Sequence, residues 1–90
     1  MLPQINEYFD NNAIIVDVRS PEEYQEGNPK GSINIPINVL EARLNELDKK
    51  RYTIVCCASG GRSARALQFL NSQGFENVID VGPWSNAVKK

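Results

Sequence analysis

Seven consecutive residues carry the chemistry open to this chain: Cys57-Ala58-Ser59-Gly60-Gly61-Arg62-Ser63. The apolar run Ile54-Val55 ends in two cysteines, a short glycine-containing loop follows, and Arg62-Ser63 opens a segment with helical periodicity. A strand–loop–helix junction of this kind turns several backbone N–H groups toward one point. The first helical turn adds its unpaired N–H groups and the positive end of the helix dipole. Gly60 and Gly61 admit backbone angles and close approaches that a side chain would block. A thiol at the start of the loop sits over this positive bowl, which favours the thiolate, the nucleophilic form. The pattern predicts a cysteine nucleophile in an anion-binding cradle.

Composition narrows the chemistry. The 90 residues contain two cysteines and no histidine. Ser-His and Cys-His pairs, His-ligated zinc and a histidine general acid are therefore excluded. A working cysteine must be activated by backbone dipoles and arginine. Cys56 and Cys57 are adjacent, so a bond between them would be strained and would close almost no loop. Both are expected as free thiols, with no metal site, which favours a reducing, cytoplasmic setting. Leu2-Pro3-Gln4-Ile5-Asn6 does not read as a signal peptide. A chain that begins after a cleaved signal would look the same and would be periplasmic. Ten basic and eleven acidic residues give a net charge of −1, without a basic block. That balance argues against nucleic acid or an anionic membrane as the main partner. The apolar runs are too short to span a bilayer.

The elements that must position the loop can be taken in order. One domain is expected over residues 1–90. Leu2, Ile5, Tyr8 and Phe9 have the spacing of a short amphipathic helix, closed by Asp10-Asn11-Asn12. Ala13 to Val18 is a continuous apolar run suited to a strand buried on both faces. Ser20, Pro21 and Glu23 form the start signal of a second helix, with a capping box. Gly27 to Gly31 is a loop, and Ser32 to Ile35 a short strand stopped by Pro36. Asn38 to Leu47 is predicted helical, with Val39, Leu40, Ala42, Leu44 and Leu47 as a buried stripe. Asp48 to Arg51 is a solvated turn and Tyr52 to Cys57 the central strand. Arg62 to Gln73 is a helix with Gly74 as its C-cap. Phe75 to Val81 leads into a last strand, Gly82-Pro83 turns the chain, and Trp84 to Val88 forms a short terminal helix. Alternating strands and helices predict an α/β domain with a largely parallel sheet and right-handed crossovers. The cysteine loop follows a strand's carboxyl end, where such sheets place their sites.

Several residues also have plainer roles. A lone cysteine after an apolar strand is commonly a small core residue. Cys56 belongs to the strand, faces away from Cys57 and is expected in the core. Asp17 and Arg19 are expected to form a structural ion pair, Arg65 to occupy a solvated helix position, and Trp84 to lie over the core.

Across nearly its whole length the chain resembles a known family. Cys57-Ala58-Ser59-Gly60-Gly61-Arg62-Ser63 is similar to the Cys-x-x-Gly-x-Arg-Ser loop of single-domain rhodanese-like sulfurtransferases. Ile15-Val16-Asp17-Val18-Arg19, Glu23-Tyr24, Gly27, Gly31 and Ile33-Asn34-Ile35-Pro36 match the family's segment before that loop. Gly74-Phe75-Glu76-Asn77-Val78 and Val81-Gly82-Pro83-Trp84 resemble its closing runs. The chain departs from the pattern at Asn28, in place of a histidine, and at Pro83, in place of a glycine. Ala58 stands where many thiosulfate-using members carry a basic residue. The resemblance implies a three-layer fold, with a mostly parallel sheet of four to five strands between helices. It also implies transfer of a sulfane sulfur, with no cofactor, from a small anionic donor such as thiosulfate. The acceptor would be cyanide or a thiol, including a protein thiol. Carried over, Cys57 is the nucleophile and forms a persulfide, a covalent route in two steps. Backbone groups of Ala58, Ser59, Gly60, Gly61, Arg62 and Ser63 hold the thiolate and the anion. Arg62 braces the loop, contacts the donor, or both, and the Ser63 hydroxyl adds a donor or caps the helix.

Two other functions compete. Counted from Cys56, the loop reads Cys-x5-Arg-Ser, the form of a tyrosine-phosphatase signature. That reading requires a general acid, and none is evident. A rhodanese-like module without catalysis, binding a partner, is the third.

Overall fold

The computed structural model describes residues 4–89. Four strands form one parallel sheet in the order β2-β1-β3-β4, made of β1 (Ile14–Asp17), β2 (Ile33–Asn34), β3 (Thr53–Cys57) and β4 (Val78–Pro83). Helices α1 (Ile5–Asp10), α2 (Pro21–Glu26) and α3 (Gly61–Ser72) alternate with them. This is the α/β architecture expected, with four strands. Leu2, expected on the first helix, lies outside the described residues.

Side-chain alternation along the two central strands splits the core in two. Val16, Val18, Val55 and Cys57 point to one face, where they meet Ala66 and Leu70 of α3 together with Ile35, Leu40 and Phe75. Ile15, Ile54 and Cys56 point to the other, against Ile5 and Tyr8 of α1, Val81 and Ala87. Tyr8 and Tyr52 meet edge to face there, with ring centroids 4.8 Å apart. All five residues of β3 are buried, which is why the central strand reads as an unbroken apolar run. Helix α3 buries Ser63, Ala66 and Leu70, one stripe at helical spacing. It closes in a Schellman motif: Phe75 N–H donates to Leu70 C=O and Gly74 N–H to Asn71 C=O, with Gly74 at φ +87°.

Three expectations are corrected. Asn38 to Leu47 is not an α-helix but two 3-10 turns, Ile37–Val39 and Leu44–Glu46, joined by further turns. Apart from Arg43 N–H to Val39 C=O, its backbone bonds run to the third residue back. Asn38, Val39 and Asn45 favour helix weakly, and the Arg43 guanidinium is drawn both to Asn34 C=O and to Glu46. Val39, Leu40, Leu44 and Leu47 still pack on the core, whereas Ala42 is exposed. Gly82-Pro83 is not a turn beyond the last strand but the final two residues of β4. The strand runs through both residues over a bulge, since Val55 pairs with Asp80 while Cys56 pairs with Gly82. Asp80 Oδ1 secures that bulge by accepting the Gly82 N–H at 2.8 Å. The terminal helix is a single 3-10 turn, Trp84–Asn86.

Candidate functional site

Both ends of the candidate loop are rigidly held. β3, buried on both faces, delivers Cys57, and α3 begins at Gly61, one residue earlier than its periodicity predicts. Gly60 is the N-cap at φ +108°, a left-handed conformation open mainly to glycine. The loop wraps the Cys57 sulfur, which accepts the Gly60 N–H at 3.0 Å and the Ser63 N–H at 3.4 Å. The Cys57 S–H donates to Ser63 Oγ at 3.3 Å, and the Ser63 O–H donates to Gly60 C=O at 3.1 Å. On ionisation the same hydroxyl can turn its proton from Gly60 to the sulfur. The N–H groups of Gly61 and Arg62, in the first turn of α3, have no helical acceptor.

These contacts set the thiol's acidity. Burial alone pushes Cys57 up. The Ser63 hydroxyl, with the N–H groups of Ser63, Gly60 and Ser59, outweighs burial and brings the thiol below its ordinary value. Cys56 has no such donors. Burial, reinforced by the Asp17 carboxylate, pushes it up to about 12. Cys56 also lies on the opposite face of β3. Counting the loop from Cys56 therefore places no thiol within it, and the phosphatase reading loses its nucleophile. Removing one donor should show in reactivity. Ser63→Ala is expected to move the pH profile of Cys57 alkylation upward. Its rate at pH 7 should fall by about tenfold, the worth of a hydrogen bond to a charged group. An unchanged profile would discard the hydroxyl's role.

Arg62 ties the loop to α2. Its Nη1 and Nη2 donate to Glu23 Oε1 and Oε2 at 2.6 and 3.0 Å, a bidentate pair. Glu23 at the same time accepts the Ser20 N–H and completes the capping box of α2. One carboxylate thus fastens α2 to the start of α3. The sequence marked Glu23 as a helix cap and missed this second role. The available signal was its place just after β1, at the same carboxyl edge of the sheet as Cys57. The Arg62 hydrogen bonds, then the Ser20 N–H, bring the Glu23 carboxyl down to about 2. A lowered carboxylate pKa stabilises the fold above its unfolded value near 4.3 and loses that effect as pH falls toward 2. Wild type and Glu23→Gln are therefore expected to differ in unfolding midpoint at pH 6. The difference should close as pH falls from about 4 toward 2. A constant difference across that range would remove this linkage.

Behind the loop stands a buried ion pair. Arg19 Nε and Nη2 hold the Asp17 carboxylate at 2.7–3.0 Å, and the Arg19 N–H donates to Asp17 Oδ1. Arg19 also donates to the carbonyls of Glu23 and Gly27, and its guanidinium lies 4.8 Å from the Trp84 ring centroid. The expected structural pair is present and joins β1, α2 and the closing turn. Trp84 packs on the core beside α1, as expected.

A sequence profile described as the Rhodanese-like domain matches residues 3–82. This chain belongs to the rhodanese-like domain family. Solved structures agree: a "rhodanese with anions" from Escherichia coli superposes with a TM-score of 0.76 at 32% identity, covering 82% of this chain and 89% of that one. YrkF of Bacillus subtilis is 39% identical over 74 residues, 82% of this chain and 40% of that protein. Thiosulfate sulfurtransferase PspE of Escherichia coli is 35% identical over 69 residues, 74% of this chain and 66% of that protein. The chain thus spans 40% and 66% of the lengths of these two relatives. As a rhodanese-like domain it carries its loop cysteine, Cys57, at the carboxyl end of the central strand.

Proposed function

We propose that this rhodanese-like domain is a sulfurtransferase that works through a persulfide on Cys57. The observation that carries the proposal is the convergence of the Gly60 and Ser63 N–H groups and the Ser63 hydroxyl on one sulfur. The Cys57 thiolate attacks the outer sulfur of a sulfane donor. A new S–S bond forms on Cys57, the donor's S–S bond breaks, and its electron pair leaves with sulfite from thiosulfate or with a thiolate from a persulfide. Cyanide or a thiol, small or on a protein, then attacks the outer sulfur and returns Cys57 as thiolate. The free N–H groups of Gly61 and Arg62 stabilise the anionic donor and the persulfide. Ala58 and Ser59 complete the rim of the loop. Sulfurtransferase chemistry is also what the relative PspE is named for.

Cys57 has no exposed surface, while Ala58, Ser59 and Gly61 around it are exposed. Transfer therefore requires those small residues to yield, and no side chain larger than serine among them resists it. The test is intact-mass spectrometry after incubation with a persulfide or an excess of thiosulfate, followed by cyanide. The expected result is a gain of one sulfur atom that cyanide removes, releasing one thiocyanate per loaded protein. No gain with either donor would overturn the proposal.

A further inference from the structure

The Cys57 loop is backed by the end of β4, and a carboxylate outside the loop fixes where that end lies. Cys57 pairs with Pro83 and Cys56 with Gly82, but Val55 pairs with Asp80. Val81 is therefore the extra residue of the bulge, its side chain buried in the cluster of Ile54 and Cys56. Two side chains hold the bulge. Asp80 Oδ1 accepts the Gly82 N–H at 2.8 Å, and Asn86 Nδ2 donates to Val81 C=O at 2.9 Å. A bulge takes backbone groups out of the ladder, and these side chains answer them. Gly82 itself sits at φ +73°.

The bulge in turn places Gly60. A Cβ on Gly60 would lie 3.8 Å from Gly82 Cα, so the two backbones pack with no side chain between them. Without the bulge, Gly82 would stand one residue, about 3.3 Å, further along the ladder, and Gly60 would lose that support. Gly60 matters to the sulfur more than its lack of a side chain suggests. Its N–H approaches Cys57 Sγ at 3.0 Å, against 3.4 Å for the Ser63 N–H. Its C=O accepts the Ser63 O–H and the Ala64 N–H. A shift of Gly60 therefore reaches the sulfur directly and through Ser63. Among the described residues the Asp80 side chain hydrogen-bonds to Gly82 and not to the loop, so it acts on the thiol through Gly82 and Gly60.

We propose that Asp80 is a positioning residue of the Cys57 site: by pinning the β4 bulge it keeps Gly82 behind Gly60, and so keeps the Gly60 N–H on the Cys57 sulfur. The proposal rests on Cys57 being the reacting thiol. Positioning and charge have opposite signs here. A carboxylate near a thiol disfavours the thiolate, so loss of the charge alone would make Cys57 more acidic. Loss of the bulge loosens a hydrogen bond to the thiolate, which makes Cys57 less acidic. The other charges at this edge, Asp17 with Arg19 and Glu23 with Arg62, are paired with each other, and changes at Asp80 leave both pairs in place.

The experiment is the pH profile of Cys57 alkylation by iodoacetamide, an uncharged probe, read by intact mass with Cys57→Ser as blank. The plateau at high pH reads access to the sulfur, and the midpoint reads its acidity. Asp80→Ala is expected to move the midpoint upward by about 0.5–1 pH unit, roughly a three- to tenfold loss of acidity, because the hydrogen bond is loosened rather than deleted. Asp80→Asn keeps Oδ1 as an acceptor without the charge, and should recover the wild-type midpoint to within about 0.3 pH unit. Where Asp80→Ala does not fold, Gly82→Ala gives the same reading: it keeps the carboxylate, disfavours the positive φ of the bulge and should also move the midpoint upward. A downward shift in either Asp80 variant would assign the effect to charge and overturn the positioning role. A lower melting temperature with an unmoved midpoint would make Asp80 a purely structural residue and overturn it equally. Alkylation needs no sulfur donor, so the expected midpoints without any sulfur loading would overturn the sulfurtransferase function and leave the hold of Asp80 on the thiol standing.

Discussion

Replacing Cys57 by serine is expected to abolish sulfur loading entirely, while Cys56→Ala loads as wild type does. The two sulfurs are neighbours in sequence and differ in every property that governs reactivity. Cys57 lies in a ring of donors that hold its thiol below the ordinary value. Cys56 lies among Ile54, Ile5 and Val81 on the far side of the sheet, its thiol pushed up to about 12. At neutral pH a thiol of that kind has almost no thiolate, and its side chain is buried in the core on the opposite face of the sheet from Cys57. Serine at Cys57 keeps nearly the same size and can hydrogen-bond to Gly60 and Ser63, so the fold should survive. A serine oxygen cannot form a persulfide, so the loss should be complete rather than graded. Cys56→Ala should cost stability on the order of 1–2 kcal/mol through lost packing, with no effect on loading. Sulfur gain on Cys57→Ser, or its loss in a folded Cys56→Ala, would reassign the nucleophile.

Asp17→Ala is expected to be the most destabilising single change near the site. Asp17 is fully buried and Arg19 is 4% exposed. Removing the carboxylate leaves a buried guanidinium with only the Glu23 and Gly27 carbonyls and the Trp84 face as partners. Breaking such a pair from one side costs about 3–5 kcal/mol. A 90-residue domain has roughly 5–13 kcal/mol in all, so a large share of its stability would go. The melting temperature should fall by about 12–40 °C for a domain of this size. Removing both charges tests the cause. Asp17→Leu with Arg19→Met should be less destabilised than Asp17→Ala, because no uncompensated charge remains. A melting temperature for Asp17→Ala within a few degrees of wild type would show the pair to be of little consequence. The pair also orients Glu23 through its backbone carbonyl, so loading should weaken in Asp17→Ala even where the protein is folded.

Much of this was legible in the residues, wherever a local rule and the tertiary environment agree. The buried strands show as apolar runs because a parallel sheet is covered on both faces. The capping box at Ser20 and Glu23 and the turn at Gly74 are short-range hydrogen-bond patterns, written in adjacent positions. The alternation that separates Cys56 from Cys57 follows from the two-residue period of a strand. Asn38 to Leu47 misled because its apolar spacing fits a helix, yet its weak helix formers and the outward pull on Arg43 let it pack as 3-10 turns instead. The partner of Arg62 was not legible at all. Glu23 is 39 residues away, and only the parallel crossover of the chain brings α2 and the head of α3 to the same edge. The loop's thiol, its glycines and its backbone donors were thus determined by local sequence. The electrostatic neutrality of the site was decided by tertiary structure, since a charge's partner is set by where the fold returns the chain rather than by its neighbours along it.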